Sequence, residues 1–255
     1  MKSIQSISLD KTSHKVFELI ARDPFQNKRL LDVGAGEGYF VQLMGQWLKQ
    51  QNLVPLPERL FACDIQPGEF KYEEIPCHSA NFHEQLPYPD QHFDIVTSIE
   101  VIEHLEDQFH FIRELYRVTK PGGQIIVTTP NILNINSRLR YFFTGFGLLF
   151  DILPLYRIEP TRLSGHIHPI GLYFLAHAMA RAGLRNIEVH YDRKKKSGLF
   201  LSILLYPLIQ FRFFLYRRRL ARKKKELFME NAFLLNQINT LDTLASRTVI
   251  MVGYR

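Results

Sequence analysis

Apolar residues along this chain fall into two alternating spacings, and each spacing predicts a different element. Residues 11–22 carry Val16, Leu19 and Ile20 at helical intervals and predict a helix. Residues 28–33 (KRLLDV) predict a buried strand that runs into a glycine-rich turn, GAGEG. Tyr39–Gln50 returns to helical spacing through Phe40, Leu43, Met44 and Trp47. A proline-bearing loop leads to a short strand at 59–63 and a weaker one near 74–78. A fourth strand is predicted at 93–98 (FDIVTS), then a helix over Gln108–Val118, a turn at Lys120-Pro-Gly-Gly and a fifth strand at 124–129. A helix over 169–183, stopped by Gly183, precedes a sixth strand at 186–191, and 247–254 (RTVIMVGY) predicts a seventh. Strands alternating with helices argue for an α/β fold with a parallel sheet covered on both faces. No internal repeat is found.

The chain has 255 residues, 46% hydrophobic and 22% charged, so it can bury a core unaided. Two cysteines, Cys63 and Cys77, exclude a disulfide framework and a four-cysteine zinc site. The first twenty residues lack the apolar run of a secretory signal, which suggests a cytoplasmic body. Net charge is +7, yet residues 193–225 alone hold 12 basic residues and no acid, which leaves 7 − 12 = −5 elsewhere. A nucleic-acid binder usually carries its positive field on its folded body, and this body is mildly acidic.

The glycine turn has a strand before it and a helix after it, the context of a nucleotide-binding turn. Its spacing is G-x-G-x-G, at Gly34, Gly36 and Gly38, and not the G-x-G-x-x-G that seats a pyrophosphate. Asp32 lies two residues before the first glycine, and Glu37 would repel a phosphate. The layout suits a nucleoside ligand that carries an amino acid. Asp64, ending the second strand, can accept both ribose hydroxyls. Asn81 could read an adenine edge and Phe82 could stack on it; both are otherwise a loop residue and a core residue.

LLDVGAGEGYF, FACDI, FDIVTSIEVIEHLED and ELYRVTKPGGQIIVTTPN, in that order, resemble the class I S-adenosylmethionine-dependent methyltransferases, close to the ubiquinone and small-molecule O-methyltransferases. The resemblance covers about residues 28–131 and more loosely 166–191 with the last strand. It implies a Rossmann-like, seven-stranded, mostly parallel sheet whose antiparallel last strand is inserted next to the sixth. It implies that S-adenosylmethionine lies against Asp32, Gly34, Ala35, Gly36 and Gly38, with its ribose at Asp64 and Ile65 and its adenine by Asn81 and Phe82. Many relatives have Asp at the position of Asn81. Ser98 and Glu100 would lie under the methyl donor.

Glu100, Glu103 and His104 are spaced i, i+3 and i+4, so one helical turn would put all three on one face. His104 could act as base with Glu103, or Glu100, Glu103, His104 and a downstream His168 could hold a divalent ion such as Mg²⁺ and acidify a hydroxyl. The acids would also suit a helix start, and His166 and His168 could be plain pocket residues. The EVxEH string is shared with ubiquinone-type O-methyltransferases and small-RNA 2′-O-methyltransferases, some of which use a metal.

Residues 199–216 form the longest apolar run, broken by Ser202, Pro207, Gln210 and Arg212. Its flanks are both basic, which predicts a helix or broken hairpin lying in the membrane interface with both ends on the cytoplasmic side. A domain-capping or oligomer helix is a second reading, and RNA binding by the same basic residues, which the apolar core argues against, a third. The expected organisation is a methyltransferase domain at 1–192 with a substrate lid at 132–168, a basic apolar insert at 193–240, and the final strand at 241–255. A second apolar stretch, 141–156, falls in the lid. The expected function is O-methylation of a small or lipid-linked hydroxyl acceptor at an anionic membrane surface. An RNA 2′-O-methyltransferase and a non-catalytic methyltransferase-like module are the rivals. The oligomeric state stays open.

Overall fold

The computed structural model describes residues 4, 10–154, 156 and 165–255. Part of the expected lid, residues 155 and 157–164, lies outside the described residues, as do 1–3 and 5–9. The strands are β1 (Leu30–Val33), β2 (Leu60–Asp64), β3 (Cys77–Ser79), β4 (Phe93–Ile99), β5 (Thr119–Pro130), β6 (Arg185–Tyr191) and β7 (Thr248–Tyr254). The helices are α1 (Asp10–Ile20), α2 (Tyr39–Gln50), α3 (Gln108–Val118), α4 (Ile135–Thr144), α5 (Leu172–Ala182), α6 (Lys196–Lys223), α7 (Lys225–Glu230), α8 (Ala232–Gln237) and α9 (Leu241–Ala245).

All seven strands join one sheet in the order β3-β2-β1-β4-β5-β7-β6. β7 runs antiparallel to both its neighbours, pairing Val127 with Met251 on one side and Val189 with Met251 on the other. The remaining pairs are parallel, so the carboxyl ends of β1, β2, β4, β5 and β6 share one edge with the start of β7.

Strand side chains alternate between faces. Leu31, Val33, Val96, Ile125, Val127, Val249 and Met251 point to the layer made by α3 and α5. Leu30, Ile95, Ile126, Ile250 and Val252 point to the layer made by α1 and α2. Strands buried on both faces read as continuous apolar runs, which is why IIV and VIM stand out in the sequence.

The seven strands and the helices at 39–50 and 108–118 fall where the apolar spacing predicts them. Three expectations change. Lys120-Pro-Gly-Gly is not a separate turn but part of β5: Thr119 pairs with Phe93 and Gln124 with Ile95, so four residues bulge opposite Asp94. The Lys120 ammonium closes the bulge with two bonds to the Asp94 carboxylate, 2.8 and 3.0 Å. Residues 135–144 are helical, capped by the Asn134 side chain, which accepts from the Ser137 N–H at 2.9 Å. The apolar insert is one continuous helix with Pro207 inside it, not a broken hairpin.

α6 runs 28 residues, about 42 Å at 1.5 Å per residue. By length and composition, Gly198–Lys223 could cross a membrane. One side of α6 is tied to the body. The Lys195 N–H donates to the Ala245 carbonyl (3.0 Å), and the Gln210 side chain donates to the Asn239 carbonyl (2.8 Å). The opposite side is open. Phe200, Leu204, Leu208, Phe211 and Leu215 recur at steps of four, four, three and four, flanked by Ile203 and Phe214, and all are exposed. Tyr141, Phe142 and Phe143 of α4 are exposed as well. α4 meets the start of α6 where the Asn136 side chain lies against Gly198.

Candidate active site

The site is built on the edge where the parallel strands end. β1 stops at Val33, and the chain turns back through three left-handed glycines, with φ +81° at Gly34, +53° at Gly36 and +92° at Gly38. A Cβ on Gly34 would lie 2.3 Å from a Val101 methyl, and one on Gly38 would lie 2.8 Å from the Phe70 ring. Only glycine keeps this cradle open. Gly34 and Ala35 donate backbone bonds to the Cys63 carbonyl, 2.9 and 3.2 Å, which locks the turn against β2.

Asp64 fastens the same turn. Its carboxylate accepts from the Gly36 N–H at 2.8 Å and from the Gln66 N–H at 2.9 Å. Ile65, next to it, exposes its side chain at the rim. Asp32 is fully buried and accepts the Thr97 hydroxyl at 2.8 Å. Burial pushes its carboxyl up to about 7; the Thr97 bond opposes this and the Asp64 charge adds to it. Glu37 is paired with Lys71 at 2.5 Å, so the case against a phosphate ligand rests on the glycine spacing and not on a free acid.

The two residues expected at the adenine have partners within the chain. Phe82 is buried in the core, tilted against Phe111 with ring centroids 5.7 Å apart, and its ring is not free to stack on a ligand. The Asn81 side chain closes its own loop: it accepts from the His83 N–H (3.1 Å) and donates to the Glu84 carboxylate (2.8 Å).

Beyond β4 the chain departs from the predicted helical turn. Glu100 has a left-handed backbone, φ +56°, which costs a non-glycine residue about 1–3 kcal/mol and is typical of functional sites. Its N–H donates to the Thr128 hydroxyl, 3.0 Å. A single 3₁₀ turn at Ile102–His104 follows. The kink turns the three side chains to different partners while leaving the Glu100 and Glu103 carboxyls close enough to repel. Glu100 faces Arg247 at the start of β7, 4.0 Å away, while Glu103 and His104 face His166.

Glu103, His104 and His166 bring one ligand atom each within 4.8 Å of one another. Glu103 is fully buried, no well-formed hydrogen bond to its carboxylate oxygens is found among the described residues although the Thr129 hydroxyl lies nearby, and the nearest His166 nitrogen is 4.0 Å away. Burial, then the nearby Glu100 carboxylate, pushes the Glu103 carboxyl well above the usual range. Burial raises Glu100 too, and the Arg247 guanidinium pulls it back. His104 Nδ1 is 2.8 Å from the Gly165 carbonyl, which can only accept, so Nδ1 carries the proton and Nε2 keeps a lone pair in the neutral ring. Burial holds both His104 and His166 below the usual imidazole range.

The expected metal set of Glu100, Glu103, His104 and His168 is therefore corrected. Glu100 turns to Arg247. His168 is exposed and touches the site only through its backbone N–H, which donates to the Glu103 carbonyl at 3.0 Å. His166 takes the place of His168. Two imidazoles and one carboxylate suit zinc or iron better than Mg²⁺, which prefers oxygen donors and water.

Further buried atoms without a well-formed hydrogen bond among the described residues crowd the same edge: Ser98 Oγ, Glu100 Oε1, Thr129 Oγ1, His166 Nδ1, Ser246 Oγ, Thr248 Oγ1 and Arg247 Nη1, the last facing Glu100 at 4.0 Å. Buried polar atoms are rarely left unmatched, and so many in one place mark where ligands bind. Of these, Arg247 and Thr129 were invisible to motif reading. Arg247 is a charge at the lip of an apolar strand, far in sequence from Glu100.

An apolar cavity of about 430 Å³ adjoins this cluster, lined by Ile132, Ser137, Arg138, Tyr141, Phe142, Gly147, Phe150 and Pro169. The Phe150 ring sits 5.2 Å from the His166 ring, so the cavity shares a wall with the polar cluster. The glycine cradle, the Asp64 fastener and the buried polar atoms at Ser98 and Glu100 fit a nucleoside that carries an amino acid. A sheet of this order with a ligand cradle at its carboxyl edge defines a class I methyltransferase fold.

The chain belongs to the methyltransferase domain family, whose model matches residues 9–189. It is 35% identical over 171 residues to a Mycolicibacterium smegmatis protein named "Probable S-adenosylmethionine-dependent methyltransferase", covering 64% of this chain and 63% of that one. It is 31% identical over 133 residues to the ubiquinone biosynthesis O-methyltransferase of Pseudomonas fluorescens, covering 50% of this chain and 54% of that one. Its fold is similar to a methyltransferase crystal structure from Archaeoglobus fulgidus, with TM-score 0.57 and 15% identity over 95% of this chain and 92% of that one. The chain spans less than two thirds of the length of the curated relatives it matches, 63% for the M. smegmatis protein and 35% for two from Mycobacterium tuberculosis.

Proposed function

We propose that this protein methylates a hydroxyl on a small apolar or lipid-linked acceptor at the cytoplasmic face of a membrane, with S-adenosylmethionine as donor. One observation carries the reading: the apolar cavity shares the Phe150–His166 wall with a buried polar cluster that has a base in it. S-adenosylmethionine, when bound, supplies an electrophilic methyl group on a sulfonium. In this reading Asp32, Gly34, Ala35, Gly36, Gly38 and Asp64 hold the donor.

The rest is positioning and proton transfer. Holding two reactants in line is worth up to about 7–11 kcal/mol. The hydroxyl proton goes to His104 Nε2, the nitrogen left free by the Gly165 bond. Removing it accounts for roughly 100- to 10,000-fold in rate. Glu103, buried 4.0 Å from His166, is the acid nearest the positive charge that forms on the histidine pair. The apolar part of the acceptor fills the cavity beneath Tyr141, Phe142 and Phe150. The related proteins include, by name, ubiquinone biosynthesis O-methyltransferases and a 27-O-demethylrifamycin SV methyltransferase.

Label from methyl-labelled S-adenosylmethionine, followed into membrane lipid, nucleic acid and soluble small molecules of cell extract, tests the reading. Label in the lipid or small-molecule fraction, lost in His104→Asn, supports it. Label in RNA makes this a 2′-O-methyltransferase instead. Loss of label with a chelator, restored by zinc, manganese or iron, would make Glu103, His104 and His166 a metal centre. Failure to bind S-adenosylmethionine would leave a non-catalytic module.

A further inference from the structure

The outward side of α6 is an apolar stripe on which nothing packs among the described residues, and four features say what covers it. The first is geometry. α6 is tied at its start, Lys195 to Ala245, and at its middle by the Gln210–Asn239 bond, and Phe213, Tyr216 and Leu220 of its second half line a cavity with Tyr173 and Phe174 of α5. It therefore lies along the body and does not project from it. The second is the return path. β7 must reach the sheet after α6, and the residues between carry Glu226, Glu230, Asn231 and Asp242, which cannot form a second crossing of about 20 apolar residues.

The third is charge. Residues 193–225 hold 12 basic residues and no acid, with a cluster at each end of the stripe. Arg218 and Arg222 continue the stripe's own face at helical spacing and are exposed, with no carboxylate partner among the described residues. A second copy would bring the same uncompensated charge to the interface, whereas an anionic surface neutralises it. The fourth is continuity with the site. α4 packs at the start of α6, exposes Tyr141, Phe142 and Phe143, and forms a wall of the apolar cavity.

We propose that α6 docks in the plane of an anionic lipid bilayer through its outward stripe, its basic ends at the headgroups, beside the cavity mouth. Long cationic side chains at both ends can bury their stems and keep their charges wet. The inference rests on the methyltransferase reading only for what the cavity then receives.

The test is co-sedimentation of the whole chain, without donor, on vesicles of phosphatidylcholine alone and of phosphatidylcholine with phosphatidylserine. Binding is expected to the mixed vesicles and to weaken with salt. Leu204→Glu with Leu208→Glu should lower binding at least about tenfold. Arg218→Glu with Arg222→Glu should remove the preference for phosphatidylserine. Both variants should retain the parent's thermal midpoint and S-adenosylmethionine affinity, which separates lost docking from lost folding and from failure of the enzymatic reading. A membrane-impermeant amine reagent added outside sealed vesicles should reach Lys196 and Lys225 alike. Protection of one end would overturn in-plane docking in favour of a crossing. Absence of vesicle binding, or lipid-free self-association abolished by the Leu pair, would overturn it in favour of a protein-covered face.

Discussion

Gly34 combines a backbone of φ +81° with a Val101 methyl pressed against its open side. Gly34→Ala should cost about 1–3 kcal/mol of stability and weaken donor binding, read by thermal unfolding with and without S-adenosylmethionine. Asp32 gives a pH signature. Its folded carboxyl titrates near 7, while the same group in an unfolded chain titrates near 3.8. Between those values the folded chain keeps a proton that the unfolded chain has lost, so stability falls as pH rises through this window and levels off above it. Thermal midpoints of the donor-free protein should show that fall, and Asp32→Asn should flatten it. His104→Asn should reduce turnover about 100- to 10,000-fold with donor affinity retained. Motif reading reached the glycine turn, Asp64, Glu103 and His104, because local spacing places them. It chose His168 over His166 because residues two apart differ only in which way the chain faces, and that is set by the bond from the His168 N–H to the Glu103 carbonyl.

At the scale of elements, strand and helix positions were legible wherever burial imposes one period. The ends of elements were not. Lys120-Pro-Gly-Gly carries strong turn chemistry, yet the sheet absorbs it as a bulge because Asp94 and Lys120 pair across it. Pro207 in α6 suggested a break, but the helix continues through it from Lys196 to Lys223. Helix α4 is held by Arg138, which donates to the Leu133 and Ile238 carbonyls at 2.7 and 3.0 Å and to the Asn239 side chain at 2.7 Å. Burial lowers its affinity for a proton, and it lies between the cavity under α4 and a second one between α5 and α6. Arg138→Met should keep much of the packing volume and lose these bonds. Charged-donor bonds are worth about 1.5–3 kcal/mol each in favourable cases. A lowered thermal midpoint, with faster hydrogen exchange in 135–144 than in β4, is the expected result.

For the whole molecule, the class of fold followed from alternation alone, but strand order did not. Nothing in the apolar pattern of 247–254 says that it enters between β5 and β6; that came from the resemblance. The placement has physical weight, since β7 bonds on both sides over its length and buries Val249 to Val252. A chain ending at Ser246 should lose cooperative urea unfolding, not merely part of its stability, because β5 and β6 would both be left with open edges. There is also a consequence for the order in which the protein comes into being. A ribosome makes β7 after α6 to α9, so the central gap in the sheet stays open until the helical insert has been synthesised. The apolar helix therefore emerges while the domain is still incomplete, and a surface that receives it during translation would meet an unfinished fold, whose sheet closes only afterwards.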